Sequence, residues 1–497
     1  MAYTPKGYPR YFRVVTEIHQ MTMAGLSTSL AAGKLSAVEA LDAHIARVEH
    51  RNPEINVVVA KDYERARQQA VAVDTARANG EHLPPLAGVP ITIKDSLMTE
   101  GLTTTSGAPE LADFVPDRDA APVAALKQAG AIVFAKTNLP IWAGDVQSYN
   151  EVYGTSNNPW DVTRSVGGSS GGSAGALAAE FTSIEVGSDI AGSIRNPAAM
   201  CGVVGHKPSY GIVSAKGQIP GPPGTLTQAD IAVVGPMGRT AADCESALQI
   251  LAGADDWHSK AWTLSLPAAR TRTLDGLRIA LWADDEYCPV DPEISGAIAS
   301  LAASLEAQGA IVDPDARPAG FDFAKADLTF WNLLGGALSG GWSPSEIEQM
   351  AQAEAEGRST PGGLGVSGAS MRHRGWLTNN ERRLQMRDRW RQFFHHYDVV
   401  LAPISPTVAI AHDHSDPQSD RIIDVAGQQR PYHAQMQWMG LFGVSYLPAT
   451  AIPISVHSNG LPIGMQIVGP FLEDLTCLAA AHAIEQVTGG TQRPPGW

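Results

Sequence analysis

Cysteine is scarce in this chain: Cys201, Cys244, Cys288 and Cys477 are all there are in 497 residues. They show neither CxxC spacing nor the density of a disulfide scaffold, so free thiols in a reducing compartment are expected. Long hydrophobic runs are missing as well, with nothing near the roughly 18 uninterrupted apolar residues of a membrane span. The opening "MAYTPKGYPRYFRVV" has no apolar core of the secretory kind, which points to a cytoplasmic protein with no membrane partner. Positive charge is in deficit, 36 Lys and Arg against 51 Asp and Glu for a net −15. That balance argues against a nucleic-acid partner, which needs a basic face, and mainly favours solubility. No HExxH pattern occurs, and "HDHSD" at residues 412–416 reads as a solvated polar turn, so no metal is expected.

Apolar residues are plentiful, 44 % of the chain. Short apolar runs bounded by Gly and Pro read as buried strands: "INVVVA", "GVPITIKD", "GAIVFAKTN", "TSIEVGSD", "LRIALWADD", "YDVVLAPIS" and "PIGMQIVGP". Helical stretches such as "DAAPVAALKQAG" and "PEISGAIASLAASLEAQGA" alternate with them, the pattern of an α/β fold. "KLSAVEALDAHIARVEHRN" has helical spacing, and Ser36 with Glu39 forms a capping box that predicts its start. Length alone suggests about three domains, yet no repeat or linker divides the chain. The expectation is one large α/β/α domain with a central mixed, twisted sheet covered by helices. Residues 1–58 form its N-terminal helical region, 59–319 the core, 320–395 a mostly helical insertion or cap that is mobile near 356–368, and 396–497 the rest of the core.

The chemistry concentrates in "GGSSGGSAGALAAEFTSIEVGSDIAGSIR", residues 167–195. "TSIEV" reads as a strand, residues 187–192 as a tight turn, and a helix is expected from Ser193 or Ile194 with Pro197 in its first turn. A helix start after a sharp turn leaves backbone N–H groups unpaired, able to hold the oxyanion of an acyl intermediate. Ser193 then sits where a nucleophile belongs, and a serine needs a base. His206, in "GHKPS", reads first as a loop residue at a strand end. Lys94 and Lys136 each end a buried run where a neutral amine is favoured, and spacing does not choose between them. Ser169 and Ser170 are placed to relay a proton from Ser193 to such an amine. The segment is not a phosphate-binding loop, since no G-K-[ST] follows the glycines. It matches G-x-S-x-G twice, but "PWDVTRSV" before it is a poor strand, against a nucleophile elbow.

These residues, with "LAGVPITIKD", "TNLPIWAG", "NNPWDVTRSVGGSSGG", "GPMGRTAAD", "YDVVLAPISPT" and "GLPIGMQIVGP" in the same order, closely resemble the amidase signature family of serine hydrolases. The resemblance covers nearly the whole chain and is weakest between about residues 320 and 375. It implies a Ser–cis-Ser–Lys triad of nucleophile Ser193, bridging Ser169 and base Lys94, with the cis peptide between Gly168 and Ser169. It also implies an oxyanion hole from the N–H groups of Ile190, Ala191, Gly192 and Ser193, braced by Ser170, Asp189 and Arg195, with Ala143 and Gly144 beside the substrate. The chain departs from the family at Ala191, where glycine is usual, and at Ile141, where glutamate is common. The activity implied is cleavage of carboxamide C–N bonds, on apolar or aryl amides, with esters and carbamates as further small-molecule substrates, by a monomer or homodimer without a cofactor. The alternatives are the glutamine amidotransferase subunit of tRNA charging and a Ser-His-Asp esterase. Against the first, "GLFGVSYLPATAIPI" at residues 440–454 carries no carboxylate for glutamine's amino group.

Overall fold

The computed structural model describes residues 18–355 and 366–497. It begins with α1 (Met23–Ala31) and α2 (Ala37–Ile55). Ser36 caps α2 in a closed capping box with Glu39, as its sequence predicts, an arrangement worth about 0.5–2 kcal/mol. Strand β1 (Val58–Lys61), α3 (Tyr63–Ala78), β2 (Pro90–Lys94), α4 (Ala121–Gln128) and β3 (Ile132–Thr137) follow. These three strands form a small sheet in the order β1-β3-β2, with β2 parallel and β1 antiparallel to β3.

Next come α5 (Gly171–Ala178), β4 (Ile184–Asp189), α6 (Arg195–Cys201), β5 (Val204–Lys207), β6 (Val233–Gly238) and α7 (Ala241–Leu251). After them lie β7 (Arg278–Leu281), α8 (Pro292–Glu306), β8 (Ile311–Asp313) and the helices α9 (Phe323–Leu338), α10 (Pro344–Ala355), α11 (Val366–Ala369) and α12 (His373–Phe393). The chain closes with β9 (Val399–Pro403), α13 (Gln437–Gly443), β10 (Ala449–Val456), β11 (Pro462–Val468) and α14 (Asp474–Thr488). Eight strands make one mixed sheet in the order β8-β7-β9-β11-β10-β5-β6-β4, parallel at the β8-β7-β9 end and antiparallel through the rest. The α/β fold with a large central mixed sheet is therefore as expected. The part of 320–395 that is described is helical, while most of the stretch expected to be mobile, 356–368, lies outside the described residues. No described helix is long and apolar enough to cross a membrane.

Every apolar run read as a strand is one, and four more strands, β5, β6, β8 and β10, complete the large sheet. Two readings need correction. "PWDVTRSV" does contain a strand, residues 161–165, but it pairs with 157–158 in a two-stranded ribbon outside the central sheet. Its polar residues are tolerated because such a ribbon keeps one face in water. His206 is no loop residue either: it lies within β5 and is fully buried.

The two sheets meet where β2 runs beside the edge strand β4. No backbone ladder joins them; side chains do. Thr92 N–H donates to Thr182 Oγ1 at 3.3 Å, and the Thr92 hydroxyl donates to Glu185 Oε1 at 2.7 Å. Thr137, the register partner of Lys94, donates to the same oxygen at 2.9 Å. Two positions on, Lys94 reaches Ser188. The carboxyl ends of β2 and β4 thus arrive together at the start of α6.

Candidate active site

Lys94 ends β2 fully buried, and its Nζ lies 2.7 Å from Ser169 Oγ, 2.9 Å from Ser170 Oγ and 3.0 Å from Ser188 Oγ. Burial pulls its pKa from 10.5 down to about 7, against an upward pull from the charges of Asp189 and Glu185. Three hydroxyls suit a neutral amine, which has two N–H donors and one lone pair to accept a hydroxyl proton. Lys136, the other candidate, is equally buried but turns to the Leu97 carbonyl and the hydroxyls of Thr99 and Thr104. The two lysines are separated by which side of the small sheet they serve.

Ser169 follows a cis peptide bond after Gly168. A Cβ on Gly168 would lie 2.6 Å from the Asp145 carbonyl and 2.7 Å from the Gln147 nitrogen, so no other residue fits there. Ser170 N–H donates to the Ser193 carbonyl at 3.0 Å, binding the glycine-rich loop to the turn that carries Ser193. Ser193 is 8 % exposed where Ser169 is 1 %, so Ser193 is the more accessible of the two.

The turn from β4 into α6 is built on Asp189. Its carboxylate accepts from Gly192 N–H at 2.8 Å, Ile194 N–H at 3.2 Å, and Arg195 Nε and Nη2 at 3.1 and 3.0 Å. Burial alone would raise the Asp189 carboxyl; the adjoining Arg195 guanidinium and the Gly192 N–H hold it below the usual carboxylate range. Arg195, itself fully buried, spends its remaining fork on the Met439 carbonyl at 3.0 Å and Gln466 Oε1 at 2.9 Å. Arg195 therefore ties the turn to α13 and β11, a link the motif alone does not reveal.

The structure gives the Gly192 N–H a different partner from the oxyanion expected of it. Gly192 N–H is thus committed to Asp189. Gly192 has φ +113°, and a Cβ there would collide with the Met439 side chain. Ala191 has no positive φ, which explains why alanine is tolerated at that position. Gly192→Ala is expected to push Met439 aside or shift the turn that carries Ser193, lowering thermal stability and kcat/KM together; thermal unfolding followed by circular dichroism and an amide assay check both. Ala143 and Gly144 lie at the end of a short 3-10 turn, with the Gly144 carbonyl accepting from Gln418 at 3.3 Å.

Other candidates fall away. The ring nitrogens of His206 engage Thr450 at 2.9 Å and Asp474 at 3.1 Å, and Ser209 donates to Asp474 rather than to the histidine. That is not the Ser-to-His geometry of an esterase triad. His414 stacks on Tyr149 at 3.7 Å, and among the described residues no three His, Cys, Asp or Glu side chains are grouped to hold a metal. The four cysteines are buried free thiols. Motif reading missed Glu185, whose buried carboxyl is pushed up to about 7 against hydrogen bonds from Thr92 and Thr137. Its only sequence signal was an acidic residue inside an otherwise apolar strand.

Known proteins resemble this chain in sequence and in fold along nearly its whole length. The A subunit of a glutamyl-tRNA(Gln) amidotransferase from Moorella thermoacetica is 33 % identical over 499 residues, covering 96 % of this chain and 99 % of its own length. Its counterpart from Methylococcus capsulatus is 34 % identical over 502 residues, covering 96 % and 99 %. Among solved structures, a 6-aminohexanoate cyclic dimer hydrolase superposes with a TM-score of 0.77 at 28 % identity, over 96 % of this chain and 99 % of that one. A crystal structure described as an amidase gives 0.76 at 26 %, over 94 % and 100 %. The family model described as Amidase matches residues 39–478, and the chain belongs to that family.

Proposed function

We propose that the chain hydrolyses carboxamide C–N bonds through an acyl-enzyme on Ser193. The observation that carries this reading is the buried amine of Lys94, lowered to about 7 and set 2.7 Å from the hydroxyl of Ser169. Neutral Lys94 takes the proton of Ser169, which takes that of Ser193 as its oxygen bonds to the substrate carbonyl carbon. The N–H groups of Ile190, Ala191 and Ser193 hold the oxyanion. Collapse breaks the C–N bond as the relay returns the proton to the leaving nitrogen. Water then cleaves the Ser193 ester by the same path, regenerating the serine. The preferred substrates are apolar or aryl amides, with esters and carbamates within reach of the same steps. Phe330, Trp331 and Trp438, all buried on α9 and α13, supply apolar surface behind the turn.

Because the base must be uncharged, activity follows the deprotonated lysine. The expected kcat/KM rises with pH through about 7 and levels off above it. A pH–rate profile on an uncharged anilide checks this; a rate independent of pH across that range would remove Lys94 as the base. A panel of anilides, aliphatic amides, esters and carbamates, run against Ser193→Ala, defines the substrate class.

The full-length similarity to amidotransferase A subunits favours a second reading, glutamine deamidation for a partner that takes the ammonia. Against it stands the absence of any Asp or Glu in residues 440–454. Glutaminase assays decide: rapid glutamate release from free glutamine would establish the second reading over the first.

A further inference from the structure

One buried acid beside the relay has no part in the hydrolytic steps. Glu185, the second residue of β4, is fully buried where the two sheets meet. A carboxyl there gives up its hydration and persists only where other groups replace the lost water. Four donors do so. Oε1 accepts from the hydroxyls of Thr92 at 2.7 Å and Thr137 at 2.9 Å, Oε2 accepts from the Val186 N–H at 2.9 Å, and the Ser173 hydroxyl also bonds the carboxyl. A ring of donors suits a carboxylate, which only accepts.

Those donors share a purpose. Thr92 stands two positions before Lys94 on β2, and Thr137 is the register partner of Lys94 on β3. Ser173 lies in the first turn of α5, the helix that begins directly after Ser170, and its hydroxyl is 3.0 Å from that of Thr137. One carboxyl thus grips the strand that ends in the amine, the strand beside it, and the helix that follows Ser169 and Ser170. Its charge reaches the amine as well. Burial lowers Lys94 to about 7, and the charges of Asp189 and Glu185 keep it from falling further. The charge of Asp189 is already offset by Arg195 at 3.0 Å.

The surrounding charges are few. Lys136 is lowered by burial and raised by Asp95 ahead of Glu185, with smaller effects from Lys127 and Asp119. Of the other elements packed on β2 and β4, α5 and β6 carry no titratable side chain. In α7, Asp243 accepts from the N–H groups of Met23 and Ala24, and the Cys244 thiol turns to the Pro236 carbonyl. The buried His44 of α2 lies in the fields of Arg239, His19 and Glu180.

We propose that Glu185 is a positioning residue of the hydrolytic reaction, its carboxylate aligning Lys94 with Ser169 through Thr92 and Thr137 and keeping a negative charge behind that amine. The proposal rests on Lys94 being the base, as read above, and deepens that reading. Without the charge the ammonium form of Lys94 is less favoured, so the amine becomes neutral at lower pH. It is then a weaker base, and the plateau rate falls.

The test is Glu185→Gln, which keeps the size and one acceptor oxygen but not the charge. In pH–rate profiles on an uncharged anilide, the midpoint of kcat/KM is expected to fall by about half a pH unit or more. The plateau kcat should drop by about 3- to 10-fold with KM little changed. The rate at which a fluorophosphonate labels Ser193, followed against pH, reads the same midpoint without turnover. Thr92→Val and Thr137→Val each withdraw one donor, so the carboxyl takes up its proton more readily and the midpoint moves the same way by less. Thr137→Ser, which keeps the hydroxyl, should restore the wild-type midpoint. A Glu185→Gln midpoint that falls by less, stays or rises makes Glu185 structural alone and overturns the proposal. Should thermal unfolding show that variant unfolded, unmoved midpoints in both valine variants overturn it instead. In either case a wild-type rise through about 7 leaves the Lys94 reading intact. A wild-type rate independent of pH fails that reading and the proposal with it.

Discussion

Replacing Ser193 with alanine is expected to lower kcat by about 10⁴-fold or more on every amide the wild type cleaves, and to abolish labelling by fluorophosphonates. The frame around Ser193 does not depend on its hydroxyl. The Ser193 carbonyl is fixed by Ser170, and its neighbours Gly192 and Ile194 are fixed by Asp189. Removing one hydroxyl leaves that frame standing, so the loss is chemical rather than structural. Lys94→Ala should approach the same loss, since each member of a relay is ineffective without the others. The two single variants and the double variant should therefore show nearly equal residual rates. A double variant much slower than either single one would mean that Lys94 and Ser193 act independently. Unchanged thermal unfolding of Ser193→Ala is the control.

The second large effect is on stability. Asp189→Ala should destabilise the fold by about 3–5 kcal/mol, because it leaves the guanidinium of Arg195 buried without its counter-charge. Arg195 is fully buried, and its contacts reach α13 and β11. The damage would spread from the turn into the large sheet. Urea unfolding followed by circular dichroism measures the difference. Asp189→Asn, which keeps some acceptor capacity, should fall between wild type and Asp189→Ala. A loss below about 1 kcal/mol in Asp189→Ala would show that the pair contributes little net stability.

Much of this architecture is legible in the chain because local rules agree with the global fold. The capping box at Ser36 and Glu39 marks α2, and uninterrupted runs such as "IVFAKT" can only be buried strands. Strands β5, β6 and β10 escape such reading because Gly205, Gly235, Pro236 and Pro453 interrupt their apolar pattern. At the site, Ser169, Ser193 and the turn between β4 and α6 stand out by glycine and serine content alone. Lys94 and Lys136 do not separate by spacing, since each ends a buried run; the family resemblance picks Lys94, and the fold puts that amine within reach of the serines. The N–H of Gly192 shows the limit: its place in the turn follows from sequence, but its capture by Asp189 depends on where one carboxylate oxygen comes to rest.

The amine and the serine turn belong to different hydrogen-bonded sheets, stitched not by a backbone ladder but through side chains, those of Thr92, Thr137, Thr182, Glu185, Lys94 and Ser188 among them. Neither sheet by itself contains a working proton path. Under the proposed relay, a nascent or partly opened chain is expected to be inert toward amides until the seam closes, so that hydrolysis would report on docking of the two halves rather than on secondary structure.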